Sequence, residues 1–459
     1  MNPNIFREYD IRGLVGQDLD ENIVRLVGRA FGTRLIRKGK KKVVIGRDVR
    51  ESSTPFARAI AEGLQSAGID VYDTGVVPTP VLYYGIIKHQ MDGGLMITGS
   101  HNPVEYNGIK ICEGTLAIYG DSVTQLRDAI VDKDFEDGAG QLHDLEILED
   151  YKAQIMGRFQ FKKSFHVAVD TGNGVSGPLV MEVLTKTGHQ VDGLYIEQDG
   201  TFPNHLPDPE VPKYMADLMA KVTTDKAAVG FGFDGDGDRL GVIDNNGVKV
   251  SADWLLALFA RDLLERHPGG KVRFDVKCSD YLFEDVRNHG GEPIMGRTGH
   301  SILKSDMKEM DAIIGGELSG HIVYGREYFL IDDPLYCALK VLELMEKQES
   351  TAANLFDSFP TTFSTAEIKA GVPEDKKFKV VDELTQIFAK ENEVITIDGA
   401  RVVYDHGWGL VRASNTTANL TLRFEARSQE DLETIKADFL AKLGAFDFID
   451  LTNLREICS

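Results

Sequence analysis

Three times along this chain an apolar strand ends in aspartate and is followed by a polar loop, a helix, a glycine-containing turn and a second strand. The first copy opens at Val43-Val44-Ile45-Gly46-Arg47-Asp48 and turns at Gly68. The second opens at Val167-Ala168-Val169-Asp170 and turns at Gly188, the third at Val272-Arg273-Phe274-Asp275 with its turn at Gly290-Gly291. A strand, a crossover helix and another strand form the basic α/β unit, so the recurrence predicts three related α/β domains. After Phe359-Pro360 the texture changes. Charged stretches such as Glu374-Asp375-Lys376-Lys377, a strand around Leu420 to Phe424 and a helical segment from Gln429 to Leu443 predict a smaller α+β domain behind a linker, and a linker permits a lid. At 459 residues the chain is too long for one ordinary core, in keeping with four domains, whose expected bounds are 1–146, 147–248, 249–361 and 362–459.

A formal charge of −21 argues against non-specific binding to nucleic acid or to an anionic membrane, so any anionic substrate must be gathered by local Arg and Lys. Met1 through Asp10 is polar and lacks signal-peptide form, and the apolar run Trp254 to Ala260 is stopped by Asp253 and Arg261, far short of a membrane span. Four scattered cysteines, Cys112, Cys278, Cys337 and Cys458, show neither metal spacing nor a disulfide framework. The expectation is a cytoplasmic protein with reduced cysteines.

Asp234, Asp236 and Asp238, alternating with Gly235 and Gly237 and followed by Arg239, put three carboxylates together with almost nothing between them. Alternate side chains lean to one side, and glycine lets the backbone bend around an ion. Such hard oxygen ligands suit magnesium, manganese or calcium. An EF-hand loop would need Gly and Glu where Arg239 and Asn245 stand, so that reading fails. Gly230, Gly232 and Gly235 match a dinucleotide fingerprint, but Leu240-Gly241-Val242-Ile243 continues as a strand where a helix should open. A solvated acidic turn is the other reading the residues leave open.

Three more loops carry candidate chemistry. Thr98-Gly99-Ser100-His101-Asn102-Pro103 follows the apolar segment Gly94 to Ile97, so Ser100 lies just beyond a strand end, as a nucleophile, a phosphate binder or a plain turn residue. His101 is adjacent, but neighbouring side chains often diverge, and no Gly-X-Ser-X-Gly elbow supports a hydrolase triad. Gly315-Gly316-Glu317-Leu318-Ser319-Gly320-His321 sets Glu317, Ser319 and His321 at alternate positions, either to bond neighbouring sugar hydroxyls or as a polar turn. Arg412-Ala413-Ser414-Asn415-Thr416-Thr417, with Arg423 on the next strand, offers donors suited to a phosphate dianion, or a polar loop without a ligand.

Taken in order, these four loops closely resemble those of the α-D-phosphohexomutase superfamily, above all its bacterial phosphomannomutase/phosphoglucomutase branch. The resemblance runs from Phe6-Arg7-Glu8-Tyr9-Asp10-Ile11-Arg12-Gly13 to the Arg412 loop. It implies four domains around a central cleft, the first three sharing an α/β core and the fourth mobile. Ser100 then corresponds to the phosphorylated serine, and Asp234, Asp236 and Asp238 to ligands of Mg²⁺, with a phosphoserine oxygen completing the set. Glu317 and Ser319 match the sugar-contacting loop, and Arg412, Ser414, Asn415 and Thr416 the loop that holds substrate phosphate. Tyr9, Arg12, Lys110, Arg239, Lys277, His300 and His321 fall where such clefts are lined, Arg423 being a further substrate contact. Ala418 stands where family members often carry proline, a change expected to alter loop stiffness and to leave the donors intact.

The implied reaction interconverts hexose 1- and 6-phosphates of mannose and glucose through a phosphoserine and a hexose 1,6-bisphosphate, with Mg²⁺ as cofactor. Arg239 would stabilise phosphoryl oxygens, and Lys110 and His300 are the candidates for moving the hydroxyl proton. Within the superfamily the alternatives are phosphoglucosamine or phosphopentose mutases; the glucosamine branch tends to be polar where this chain has Leu318, which favours mannose and glucose phosphates. From another class, a catalytically silent sugar-phosphate sensor is at odds with intact Ser100, Arg239 and all three carboxylates. The expected partners are hexose phosphates, with no nucleic acid or membrane, and the expected state is a monomer or weak homo-oligomer.

Overall fold

Each copy of the recurring unit folds as its hydrophobic pattern dictates. In the computed structural model, which describes residues 1–414 and 417–458, the first copy runs from the strand Lys42–Arg47 through the helix Ser53–Ser66 to the strand Asp70–Val76. The second comprises His166–Asp170, Gly177–Lys186 and Gln190–Leu194, the third Lys271–Asp275, Asp280–Asn288 and Glu292–Gly296. The two strands of every copy pair in parallel. Gly68, Gly188 and Gly290 turn each helix into its second strand at φ of 95°, 101° and 76°, a left-handed conformation that costs glycine no Cβ clash.

The structural repeat is longer than the sequence repeat. Each first strand also pairs in parallel with a third strand, Gly93–Ile97, Val229–Phe233 or Ile314–Gly316. The third strand turns back into an antiparallel fourth, Tyr106–Glu113, Leu240–Ile243 or Ile322–Tyr324. The order second, first, third, fourth is therefore common to three sheets. The first sheet adds Ile11–Leu14, Leu116–Ala117 and Leu142–Asp144, and the second adds Lys249–Val250. All three loops from third to fourth strand leave the carboxyl ends of parallel strands, where ligand sites in α/β sheets gather. They contain Ser100, the aspartate cluster and Glu317 respectively.

The fourth domain is built differently. Phe363–Ser364 and Ile368–Gly371 pair with Asn419–Ala426, followed by Gly407–Ala413, Ala400–Tyr404 and Glu393–Ile395, all antiparallel. The helices Lys377–Phe388 and Gln429–Leu443 pack on this sheet, and Ser428 caps the second by accepting from the Asp431 amide.

One apolar cluster runs from Tyr83 and Met96 through Phe231 and Phe259 to Tyr336 and Leu342, so the first three domains share a continuous core. Leu384, Phe388, Phe424 and Phe439 make a separate core in the fourth domain. Among the described residues the small cluster of Val276, Trp408 and Leu410 lies between the two. Around it the contacts are polar: buried Arg401 stacks 3.7 Å from the Trp408 ring centre, donates to the Cys278 carbonyl at 3.0 Å and pairs with Asp280 at 2.6 Å. Cys112, Cys278 and Cys337 are buried and unpaired. Among the described residues no helix is long and apolar enough to cross a membrane.

Candidate active site

Ser100 sits just beyond the strand Gly93–Ile97 with φ 50°, a conformation few residues other than glycine adopt. Its amide donates to Thr98 Oγ1 at 2.7 Å. Its hydroxyl lies 3.1 Å from both Asp234 Oδ2 and His101 Nδ1, so the serine and aspartate loops meet although 134 residues separate them. Burial, with Arg239 and Arg12 nearby, holds the His101 imidazole well below its usual range and neutral at physiological pH.

The aspartates are buried, not a solvated turn. Gly235 is required by closeness, because a Cβ there would stand 2.4 Å from the Ser100 carbonyl oxygen. Asp234 Oδ1 accepts from the amides of Asp238 and Arg239 at 2.9 and 3.0 Å. Lys110 Nζ reaches Asp236 Oδ2 at 2.6 Å and Asp238 Oδ2 at 2.5 Å, and Thr79 Oγ1 donates to the former at 2.7 Å. Burial and the two neighbouring carboxylates push Asp234 well up. Burial, the largest single influence, raises Asp236 and Asp238 too, but Lys110 together with Thr79 at Asp236 and with His321 and His300 at Asp238 leaves both lowered.

Asp236 Oδ1 and Asp238 Oδ1 have no hydrogen-bond partner despite burial. Leaving such atoms unsatisfied costs about 1–3 kcal/mol or more each. One oxygen from each of the three aspartates lies within 4.8 Å of the others. The donor set is hard oxygen and two of its buried oxygens lack donors, so the residues fit a hard divalent cation. Asp238, His321 and Asp332 form a second acidic and imidazole cluster. Its imidazole and Asp332 are engaged by other side chains: Arg239 Nε donates to His321 Nε2 at 3.0 Å, His321 Nδ1 bonds Asp332 at 3.0 Å, and Lys304 pairs with Asp332 at 2.6 Å. Asp332 thus favours the tautomer protonated on Nδ1, leaving Nε2 to accept from Arg239.

His300 stacks on His321 with ring centres 5.4 Å apart, and its buried Nδ1 has no partner. Burial, followed by Lys304 and Lys110, pushes its pKa well down. Of the two residues expected to handle a proton, Lys110 spends its ammonium on two carboxylates whereas His300 retains an unpaired ring nitrogen. Glu317 accepts from the Gly299 amide at 2.5 Å and from Ser319 Oγ at 3.4 Å, which ties the third-domain loop to the start of the helix bearing His300.

The turn at Thr298 in the third domain links the first and fourth domains. Tyr9 of the first domain donates to the Thr298 carbonyl at 2.6 Å, and Asp398 of the fourth accepts from the Thr298 amide at 3.0 Å and from Arg412 Nε at 3.1 Å. Arg12 pairs with Asp10 at 2.6 Å, and Ser414 Oγ lies 2.9 Å from Thr417 Oγ1. Asn415 and Thr416 lie outside the described residues. Lys277 is paired with Glu367 of the fourth domain and lies 3.7 Å from Asp275. Arg423 donates to the Lys277 carbonyl and lies over Trp408, so its guanidinium joins two domains. No local pattern in the sequence singles out Arg50, Thr79, Lys304, Asp332, Glu367 or Asp398. Each lies outside the four polar loops and enters the site only through tertiary contact, while Asp48 was visible solely as a strand terminus.

Four family models match in sequence order. They are described as phosphoglucomutase/phosphomannomutase α/β/α domain I over residues 3–137, domain II over 148–247, domain III over 251–363 and the C-terminal domain over 367–442. A phosphomannomutase/phosphoglucomutase of Pseudomonas aeruginosa is 42% identical over 445 residues, covering 97% of this chain and 96% of the relative. A phosphoglucomutase of Neisseria meningitidis is 41% identical over 444 residues, covering 95% and 96%. The crystal structure of a phosphoglucomutase/phosphomannomutase family protein from Burkholderia thailandensis superposes with a TM-score of 0.90 at 39% identity, covering 97% of this chain and 98% of that one. With every domain matched in order and relatives aligned end to end, the chain belongs to the phosphoglucomutase/phosphomannomutase family.

Proposed function

We propose that this protein is an isomerase that moves a phosphoryl group between O1 and O6 of mannose and glucose phosphates, with Ser100 as carrier and a hexose 1,6-bisphosphate as intermediate and activator. The observation that carries the reading is the 3.1 Å approach of Ser100 Oγ to Asp234 in a loop whose neighbouring carboxylates keep two buried oxygens without donors. Asp234, Asp236 and Asp238 would hold Mg²⁺, which when bound offsets negative charge on the phosphoryl group.

In the first half-reaction the bond from Ser100 Oγ to phosphorus breaks as the free hydroxyl oxygen of the sugar bonds to phosphorus, and the hydroxyl proton passes to His300 Nδ1. In the second, Ser100 Oγ takes the other phosphate and the sugar oxygen released recovers the proton. Arg239, aimed by His321, faces the charge that develops on the transferring group. Glu317 and Ser319 bind sugar hydroxyls, and Arg412 with the Ser414 loop, including Asn415 and Thr416, grips the phosphate not in transfer. That loop reads a dianion and not its point of attachment, so it accepts either end of the bisphosphate. Tyr9, Arg12, Lys277, His321 and Arg423 complete the wall of the cleft, and a closed fourth domain shields phosphoserine from water. The protein is assigned to the cytoplasm, as a monomer or weak homo-oligomer.

The test is a coupled assay with Mg²⁺ and a trace of glucose 1,6-bisphosphate, comparing mannose, glucose and glucosamine phosphates. Turnover of the first two, abolished in Ser100→Ala, is expected. Preference for glucosamine phosphate would overturn the substrate assignment, and full activity of the alanine variant would overturn the carrier role.

A further inference from the structure

Arg50 has no place in the reaction steps above, yet it is 2% exposed and beside the serine loop. Each of its four terminal N–H groups meets a backbone carbonyl of the serine loop. Nη1 donates to Pro103 at 2.7 Å and Tyr106 at 3.0 Å, and Nη2 to Ser100 at 2.8 Å and Asn102 at 2.6 Å. Asp48, the terminal aspartate of the recurring strand, fixes the guanidinium from behind, its Oδ2 3.2 Å from Arg50 Nε. The same oxygen accepts from the Gly99 amide at 3.0 Å, while Oδ1 accepts from Ser53 Oγ and the Arg50 amide at 2.5 and 3.0 Å. The Phe202 ring of the second domain covers the guanidinium at 4.9 Å.

Two further observations tie this clamp to Ser100 in particular. The Ser100 carbonyl held by Nη2 is the atom that a Cβ on Gly235 would strike, so it is pinned between Arg50 and the aspartate loop. The equivalent positions two residues after Asp170 and Asp275 hold Gly172 and Lys277, so only the copy that carries the serine has this fork. A planar guanidinium with five donors can hold four carbonyls in fixed directions, whereas a lysine ammonium has three donors and no plane.

We propose that Arg50, anchored by Asp48, is a positioning residue for phosphoryl transfer: it holds the loop so that Ser100, at its left-handed φ, presents Oγ to the Asp234 loop. This inference rests on the carrier role of Ser100. The terminal N–H groups of Arg50 are all spent on backbone carbonyls, so its loss misplaces the transferring group and leaves hexose phosphate binding intact.

The experiment measures kcat and KM for glucose 1-phosphate in the full chain with Mg²⁺ and glucose 1,6-bisphosphate, with thermal midpoints alongside. Arg50→Lys is expected to lower kcat roughly ten- to a hundredfold with KM within about twofold. Phe202→Leu, which thins the cover and spares the fork, should stay within about threefold of wild type. A folded Arg50→Lys with wild-type kcat, or one altered in KM alone, overturns the proposal. If Arg50→Lys does not fold, Asp48→Asn decides: a fall in kcat at unchanged KM supports the clamp, and an unchanged kcat refutes it. Absence of mutase activity in the wild-type protein would instead overturn the functional reading, which separates the two failures.

Discussion

Gly235→Ala adds one methyl group where the serine and aspartate loops touch. Gly235 lies outside the left-handed region, so alanine can adopt its backbone and the effect is steric. The new Cβ would stand 2.4 Å from the Ser100 carbonyl oxygen. Ordinary contact between nonbonded atoms lies near 3.5 Å, so the loops must part by about 1 Å. Arg50 grips the same carbonyl from the other side and resists its retreat, so the displacement falls largely on the aspartate loop. A misplacement of about 1 Å costs on the order of 100-fold in rate, close to 2.7 kcal/mol of transition-state stabilisation. The expected result in the coupled mutase assay is therefore a kcat reduced about 100-fold with KM for hexose phosphate within about twofold, because the sugar and phosphate loops are untouched. Steady-state kinetics at saturating Mg²⁺ measures both, and circular dichroism checks the fold. Wild-type kcat in a folded Gly235→Ala protein would refute the claim that the approach of these two loops sets the geometry of transfer.

Two further outcomes are expected. Arg412→Ala removes the proposed charge-assisted grip on the phosphate not in transfer, so KM should rise roughly tenfold or more while kcat stays within about threefold, and an unchanged KM for both mannose and glucose phosphates would exclude that role. Glu113 accepts from Arg34 at 2.9 Å and Lys38 at 2.5 Å. Burial alone would raise its pKa, but Lys38 and Arg34 hold it down at about 2. A depressed carboxylate pKa gives stability that is full above the unfolded value near 4.3 and lost as pH falls toward about 2. The thermal midpoint of wild type should therefore exceed that of Glu113→Gln at pH 6, with the gap reduced to roughly half by about pH 3; a gap constant over that range would contradict the shift.

The hydrophobic pattern made the scaffold readable to the extent that it is local. Val43 to Asp48, Val167 to Asp170 and Val272 to Asp275 are runs long enough to announce buried parallel strands, and Gly68, Gly188 and Gly290 mark turns that need positive φ. Hidden from that pattern was the second half of the repeat. The third strands are short and rich in glycine, as in Ile314–Gly316, and their antiparallel partners differ in length from eight residues in Tyr106–Glu113 to three in Ile322–Tyr324. In the site, Ser100, the aspartates and Glu317 were visible because glycine-rich polar loops follow apolar segments. Asp332 offers no such signal: it stands in Leu330-Ile331-Asp332-Asp333, and its importance comes from His321 and Lys304, which approach from other elements. Arg423 was readable as a cation beside the phosphate loop, but its direction depends on the packing of the fourth domain against Lys277.

The shared connection between third and fourth strands has a consequence for how such a centre tolerates change. On the proposed roles, nucleophile, cation ligands and sugar contacts occupy one topological address in three copies, so each copy answers for one chemical duty and none contains a complete site. A substitution in the Glu317 loop can revise which sugar is read while the loops at Ser100 and Asp234 keep their chemistry. Specificity and catalysis are thus separable traits, able to drift independently on a framework whose common strand order keeps them facing one another.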